Sequence, residues 1–252
     1  VDRDAHTLER ALERRFVDQA TSDLEVGVRK ADIVVLATPV RSIIQLVGQI
    51  GEWMQPGSLL MDLGSTKGLI LAAMAELPDH VQPLGGHPMC GKEISGYEAA
   101  ERELFDGRTF ILSPLARTSD EALALGKALV ERVGAQPLVI DGRRQDYLVG
   151  TISHLPYLLA CSLVSTADAT TSADPLVWRI VAGGYRDTSR VAGSDVTMMV
   201  DILMTNREEV VKAARICGEQ LADLADLVAR GDEDTLREKL VYIRNTRREH
   251  YP

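Results

Sequence analysis

The chain is poor in cysteine and sets none of it in pairs. Cys90, Cys161 and Cys217 stand far apart with no C-x-x-C spacing, which excludes a disulfide framework and a cysteine-held zinc site. The sequence also offers no clustered ligand set of other types, so no metal is expected. No uninterrupted apolar run approaches the roughly 18 residues of a membrane span, and no membrane partner is expected. Positive charge is in deficit: 28 Lys and Arg against 37 Asp and Glu leave a formal charge of −9. Polyanion binding needs a basic face, so nucleic acid is not an expected partner. Val1-Asp2-Arg3-Asp4 lacks signal-peptide character, and neither an internal repeat nor a low-complexity segment is visible. What is present is ordinary for a globular protein, with 45% hydrophobic and 26% charged residues over a length of 252. That length is enough for one large core or two modest ones. A soluble, cytoplasmic enzyme is the default class.

The first half alternates two kinds of signal. Residues 32–39 form a short β-branched apolar run of the kind a buried parallel strand uses. Residues 58–62, 81–84, 108–112 and 137–140 read as further strands. Helical patterns cover 6–16, 40–53, 69–77 and 119–133, the last with Thr118 or Ser119 as N-cap. Strands separated by helices imply right-handed crossovers and a mostly parallel sheet. After about Asp141 the strand-like runs vanish, and residues 143–168, 173–183, 194–230 and 233–248 read as helices. The reading is therefore an α/β domain over 1–141 and an all-helical domain over 142–252, ending at Tyr251-Pro252 without an appended regulatory domain.

A dinucleotide-binding sheet opens with strand, glycine-rich turn and helix, and an acidic residue at the end of the second strand holds the ribose. No G-x-G-x-x-G occurs in this chain. Yet Val1-Asp2-Arg3-Asp4 followed by a helical stretch looks like the end of that second strand, so the first βα unit reads as missing. The competing reading makes Asp2 a plain helix-capping carboxylate.

Four segments carry residues suited to chemistry. Asp62-Leu63-Gly64-Ser65-Thr66-Lys67-Gly68 lies between a strand and a helix, where Ser65 and backbone N–H groups would face a ligand; a simple N-cap with a glycine turn is the bland alternative. Gly85-Gly86-His87-Pro88 sets a histidine at a strand's carboxyl end in a stiff loop, suited to a general base near neutral pH. A structural loop histidine is the alternative there. His154 and Tyr157 lie three apart on one helix face beside Pro156, which predicts a kink or a first-turn proline. Arg186 and Arg190 lie four apart, and arginine grips carboxylates bidentately; surface salt bridges would explain them equally.

In this order and spacing, ADIVVLATP, DLGSTKG, GGHPMCGKEISG, SHLP and GGYRDTSRVAGSD resemble the prephenate/arogenate dehydrogenase family of tyrosine biosynthesis. The resemblance implies an N-terminal Rossmann domain and a helical domain through which two copies form a homodimer. It implies oxidation and decarboxylation of prephenate or arogenate with NAD as cofactor, NADP being the other choice. By the same resemblance His87 matches the catalytic histidine, and Ser65 matches the serine that positions it with the substrate and nicotinamide. Arg190 matches the arginine on a substrate carboxylate, His154 the first histidine of the helix motif, and Glu93 an acidic residue at the site entrance. Asp2 falls at the ribose position, and Thr38 and Pro39 fall where the loop touches the dinucleotide.

The chain departs from the family pattern in three places. The glycine-rich turn is absent, Tyr157 replaces the second histidine of the helix motif, and Met199 stands where a tryptophan is often found. Two other readings stay open on the sequence. One is a non-catalytic nucleotide-sensing or dimerisation protein that has lost its cofactor loop. The other is a different Rossmann dehydrogenase with a helical dimer domain, although no lysine-centred helix motif is seen.

Overall fold

Ile33-Val34-Val35-Leu36 and Leu59-Leu60-Met61-Asp62 are runs whose branched or long apolar side chains suit a sheet covered on both faces. They become β1 (Ile33–Leu36) and β2 (Leu59–Asp62), paired in parallel with Val34 opposite Leu60. The computed structural model describes residues 1–91 and 100–251. Its sheet has the order β1-β2-β3-β4-β5, with β3 (Gln82–Pro88), β4 (Thr109–Pro114) and β5 (Gln136–Val139). All pairings are parallel except that between β3 and β4.

Helices α1 (Ala5–Glu13) and α2 (Leu24–Val28) precede the sheet. Residues 1–4 adopt no strand, contrary to the reading that they close one. Helices α3 (Val40–Ile50) and α4 (Gly68–Ala75) cover one face and share a core with β1 and β2 through Ile43, Val47, Ile50, Leu60, Ile70 and Met74. Helix α5 (Asp120–Arg132) covers the other face, against Leu59, Met61, Leu84 and Leu112. Ser119 is its N-cap, accepting from the Ala122 N–H at 3.1 Å.

No strand follows Val139 among the described residues. Helix α6 (Gly142–Val149) runs through a π-helical turn (Gly150–His154) into α7 (Leu155–Thr171). Pro156 sits in the first turn of α7, directly after the π-helical turn. The expected helix over 173–183 is instead a single 3-10 turn (Pro175–Arg179), because Pro175 and the Gly183-Gly184 pair bracket too few helix-forming residues. Then come α8 (Gly183–Ser189), α9 (Val196–Thr205), α10 (Arg207–Arg230) and α11 (Glu233–His250). The run expected over 194–230 breaks at Asn206, which ends α9 and starts α10.

The combined run Gly142–Thr171 is long and apolar enough, by length and composition, to cross a membrane. Counting uninterrupted apolar runs missed it because Ser153, His154 and Pro156 interrupt the string. His154 is buried here. The two halves share one core: Met199 and Ile202 of α9 join the α3–α4 cluster, and Tyr157 of α7 packs against it.

Candidate active site

The turn after β2 is built around a buried ion pair. Lys67 and Asp62 are both wholly buried, and the Lys67 ammonium contacts Asp62 Oδ2. Asp62 also accepts the Gly64 N–H at 2.7 Å and the Gly86 N–H at 3.2 Å. Burial pushes the Asp62 carboxyl up and the Lys67 ammonium down, each towards its neutral form, and their mutual attraction opposes both shifts. The pair holds the Ser65-Thr66-Lys67 turn against the neighbouring strand.

His87 lies inside β3, paired opposite Ile111 of β4, and not in a loop beyond the strand. The antiparallel pairing with β4 extends β3 past its expected end at residue 84. Gly85 and Gly86 make this possible. A Cβ at Gly86 would come within 2.5 Å of the Asp62 carbonyl oxygen, and one at Gly85 within 2.9 Å of Leu71 Cδ2. His87 is buried, and its pKa falls to about 3, first through burial and then through the charges of Lys67 and His154. The ring is therefore neutral at physiological pH, with a lone pair on one of its two nitrogens. Its Nδ1 is buried without a hydrogen-bond partner among the described residues.

The helical half supplies the other wall. The Asp146 carboxylate accepts the Lys67 N–H and the Gly68 N–H, each at 2.7 Å. Gln145 Nε2 reaches the Ser65 carbonyl at 3.5 Å, and Thr66 Oγ1 meets Thr205 Oγ1 at 2.8 Å. Asn206 Nδ2 donates to the Asp146 carbonyl at 2.8 Å and lies 3.1 Å from His154 Nδ1. An amide nitrogen has only donors, so His154 Nδ1 is the acceptor and the ring proton belongs on Nε2. That Nε2 is buried and has no partner among the described residues. Burial lowers the His154 pKa to about 4.

Ser65, His87 and His154 are thus brought to one junction between the halves. Thr38 and Pro39 are exposed just beyond the carboxyl end of β1, with Pro39 as the N-cap residue of α3. Tyr157 is half-buried beside Cys161, and burial raises its phenol pKa. Arg186 lies exposed in α8, and Arg190 is the exposed C-cap residue of that helix. Asp2 is exposed and accepts the Asp4 N–H at 2.9 Å, while Asp4 and not Asp2 caps α1. Met199 is buried in the shared core. Glu93 lies outside the described residues.

Residue-by-residue reading missed Lys67, Asp62, Asp146 and Asn206. Lys67 sat in plain view inside the DLGSTKG turn, and a lysine five residues after a strand-end aspartate was the available signal. Nothing local marked Asp146 or Asn206 among the many polar residues of the helices.

A family model described as "Prephenate dehydrogenase, nucleotide-binding domain" matches residues 1–139, and one described as "Prephenate dehydrogenase, dimerization domain" matches 141–242. The chain is 30% identical over 236 residues to a prephenate dehydrogenase of Lactococcus lactis subsp. cremoris, covering 92% of this chain and 65% of that one. It is 33% identical over 203 residues to a prephenate dehydrogenase of Bacillus subtilis, covering 80% of this chain and 55% of that one. It therefore spans less than two thirds of the length of either relative. A crystal structure of prephenate dehydrogenase from A. aeolicus in complex with hydroxyphenyl propionate and NAD+ superposes with a TM-score of 0.92 at 30% identity, covering 98% of this chain and 87% of that one. On these matches, the chain belongs to the prephenate dehydrogenase family.

Proposed function

We propose that the protein oxidatively decarboxylates prephenate to 4-hydroxyphenylpyruvate in tyrosine biosynthesis, with NAD+ as its cofactor, and that it accepts arogenate as well. One observation carries this reading: His87 is a buried histidine at the junction of the two halves whose Nδ1 has no partner among the described residues. The A. aeolicus relative solved with a phenolic acid and NAD+ supports the same ligand classes.

When bound, NAD+ supplies the acceptor for the hydride that leaves C4 of the ring. Thr38 and Pro39 beyond β1, and Ser65 beyond β2, lie where an open parallel sheet takes a dinucleotide. By the family resemblance Asp2 falls at the ribose position, where a carboxylate would repel a 2′-phosphate, which favours NAD+ over NADP+. His87 accepts the C4 hydroxyl proton. C1 then loses CO2, its bonding electrons return through the ring to the C4 oxygen, and His87 gives the proton back. Aromatisation makes the step effectively irreversible, so the protein chiefly orients the reactants. Arg190 takes a substrate carboxylate, and His154 offers an Nε2–H donor. Tyr157 is neutral where a histidine would carry charge, which suits the lower net negative charge of arogenate.

The domains proposed are 1–141 for dinucleotide binding and 142–252 for substrate binding and dimerisation. The homodimer forms through the helical half. Ile152 and Val196, with Leu221 and Val228 of α10, are apolar side chains more than 60% exposed in the single chain, and a second copy would cover them. Three free cysteines fit a reducing, cytoplasmic setting.

The deciding assay mixes the full chain with NAD+ and prephenate or arogenate and follows reduced-nicotinamide absorbance. Absence of turnover with both substrates sinks the proposal. His87→Asn is expected to lower kcat by roughly 10²–10⁴-fold, and near-wild-type turnover would remove His87 from the mechanism. Arg190→Ala is expected to raise KM for the substrate about tenfold or more, since losing one side of a charge pair costs about 2–5 kcal/mol. If Arg186→Ala gives that effect and Arg190→Ala does not, the carboxylate partner is Arg186.

A further inference from the structure

Among the described residues, six helices begin on a cap from the residue just before them. Asp4, Asp23, Ser119, Asp141, Asp195 and Asp232 each accept an N–H of the first turn of the helix they precede. The helices that follow β1 and β2 differ. The N-cap residues of α3 and α4 are Pro39 and Lys67, and neither makes a side-chain cap. First-turn N–H groups left without a partner are costly when buried.

Both helix starts are capped from the other half of the molecule. Asp146 of α6 takes the Lys67 and Gly68 N–H groups of α4, one on each carboxylate oxygen. Asp201 of α9 takes the Arg41 N–H of α3 at 3.3 Å, and its second oxygen lies 3.4 Å from Arg41 Nε. Asp146 and Asp201 are both buried. In an open α/β sheet, helix starts at the carboxyl edge normally face ligand. Here two of them are filled by carboxylates of the protein itself, so they are docking points and not anion sites.

We infer that Asp146 and Asp201 are positioning residues that register the helical half on the sheet half, through the two turns from which Ser65 and Thr38-Pro39 project. Asp146 serves the chemical side. Its carboxylate fixes the Ser65–Gly68 turn, and its carbonyl is tied through Asn206 to His154. Asp201 serves the cofactor side, because Arg41 lies in the first turn of α3, two residues after Pro39. The inference rests on the proposed dehydrogenase reaction only for its kinetic consequences.

The test compares Asp146→Asn and Asp201→Asn in the full chain. Asparagine keeps the size of the side chain but offers one acceptor oxygen, and turns an NH2 group towards the second donor. Asp146→Asn is expected to lower kcat about 10- to 100-fold, the scale of a small misplacement of reacting groups, with KM for NAD+ unchanged. Asp201→Asn is expected to raise KM for NAD+ and to change kcat less. Native-state hydrogen exchange provides a second readout: the Lys67 and Gly68 amides should exchange faster in the first variant and the Arg41 amide in the second, with α5 unchanged in both. A uniform loss across all kinetic constants in both variants overturns the positioning role, as does wild-type behaviour. If the wild-type chain oxidises neither substrate, the reaction reading fails by itself, and exchange alone then decides whether the docking stands. Unaltered exchange at those amides overturns it.

Discussion

Helices α4 and α5 pack on opposite faces of the same sheet, and their first turns are satisfied in opposite ways. Ser119 precedes α5 by one residue and caps it from within the local sequence. The cap of α4 is Asp146, 78 residues further along the chain from Gly68 and in the other half of the molecule. The surroundings differ to match. Beside α5 lies an apolar cluster of β2, β3 and β4 residues. At the start of α4 lie a buried lysine, two buried aspartates, and two buried histidines, each with one ring nitrogen unpartnered among the described residues. A helix start that needs only its own chain is structural. One that waits for a distant carboxylate couples the fold of one half to the docking of the other, and the chemistry sits at that coupling.

The largest effect should come from breaking the α4 side. Lys67→Met leaves the Asp62 carboxyl buried without its cation, which typically costs about 3–5 kcal/mol. Urea unfolding of the variant checks this, and adding Asp62→Asn should recover much of the loss. A single variant as stable as wild type would mean that the pair does not hold the turn. A pH effect comes next. His87 and His154 have folded-state pKa values of about 3 and about 4, below their ordinary value of 6.5. The unfolded chain therefore binds protons that the folded chain refuses. This stability is complete above about pH 6.5 and is lost as pH falls towards 4, at up to about 1.4 kcal/mol per pH unit for each histidine. Unfolding curves between those limits should be shallower in pH for His154→Asn than for wild type. The smallest effect belongs to α5: Ser119→Ala should cost about 1 kcal/mol of stability and leave kcat and KM unchanged. A kinetic effect there would erase the distinction between the two helices.

Much of this was legible along the chain. β1, β2, α5 and the long helices of the second half declare themselves by side-chain pattern and by the turn residues between them. His87 and Ser65 were legible as unusual residues in glycine-rich turns. His87 was nevertheless placed in a loop, because β3 is lengthened by pairing with β4, and a pairing partner 24 residues away leaves no local trace. The 3-10 turn replacing a helix over 173–183 had local signals in Pro175 and the Gly183-Gly184 pair, whereas the break at Asn206, whose side chain is buried against Asp146 and His154, goes with packing.

Lys67 marks the limit most clearly. As a residue type it belongs at the surface, and only the Asp62 carboxylate and the Asp146 cap make its burial tolerable. The sequence by itself determined the alternation of strands and helices, the change to an all-helical second half, and the identity of the histidines. These follow from side-chain periodicity and local turn chemistry. Only the tertiary structure decided that Asp146, Asn206 and Asp201 of the helical half complete the turns of the sheet half. A hydrogen bond between residues 160 apart, such as Arg41 to Asp201, depends on how two cores dock, and no local pattern encodes that distance.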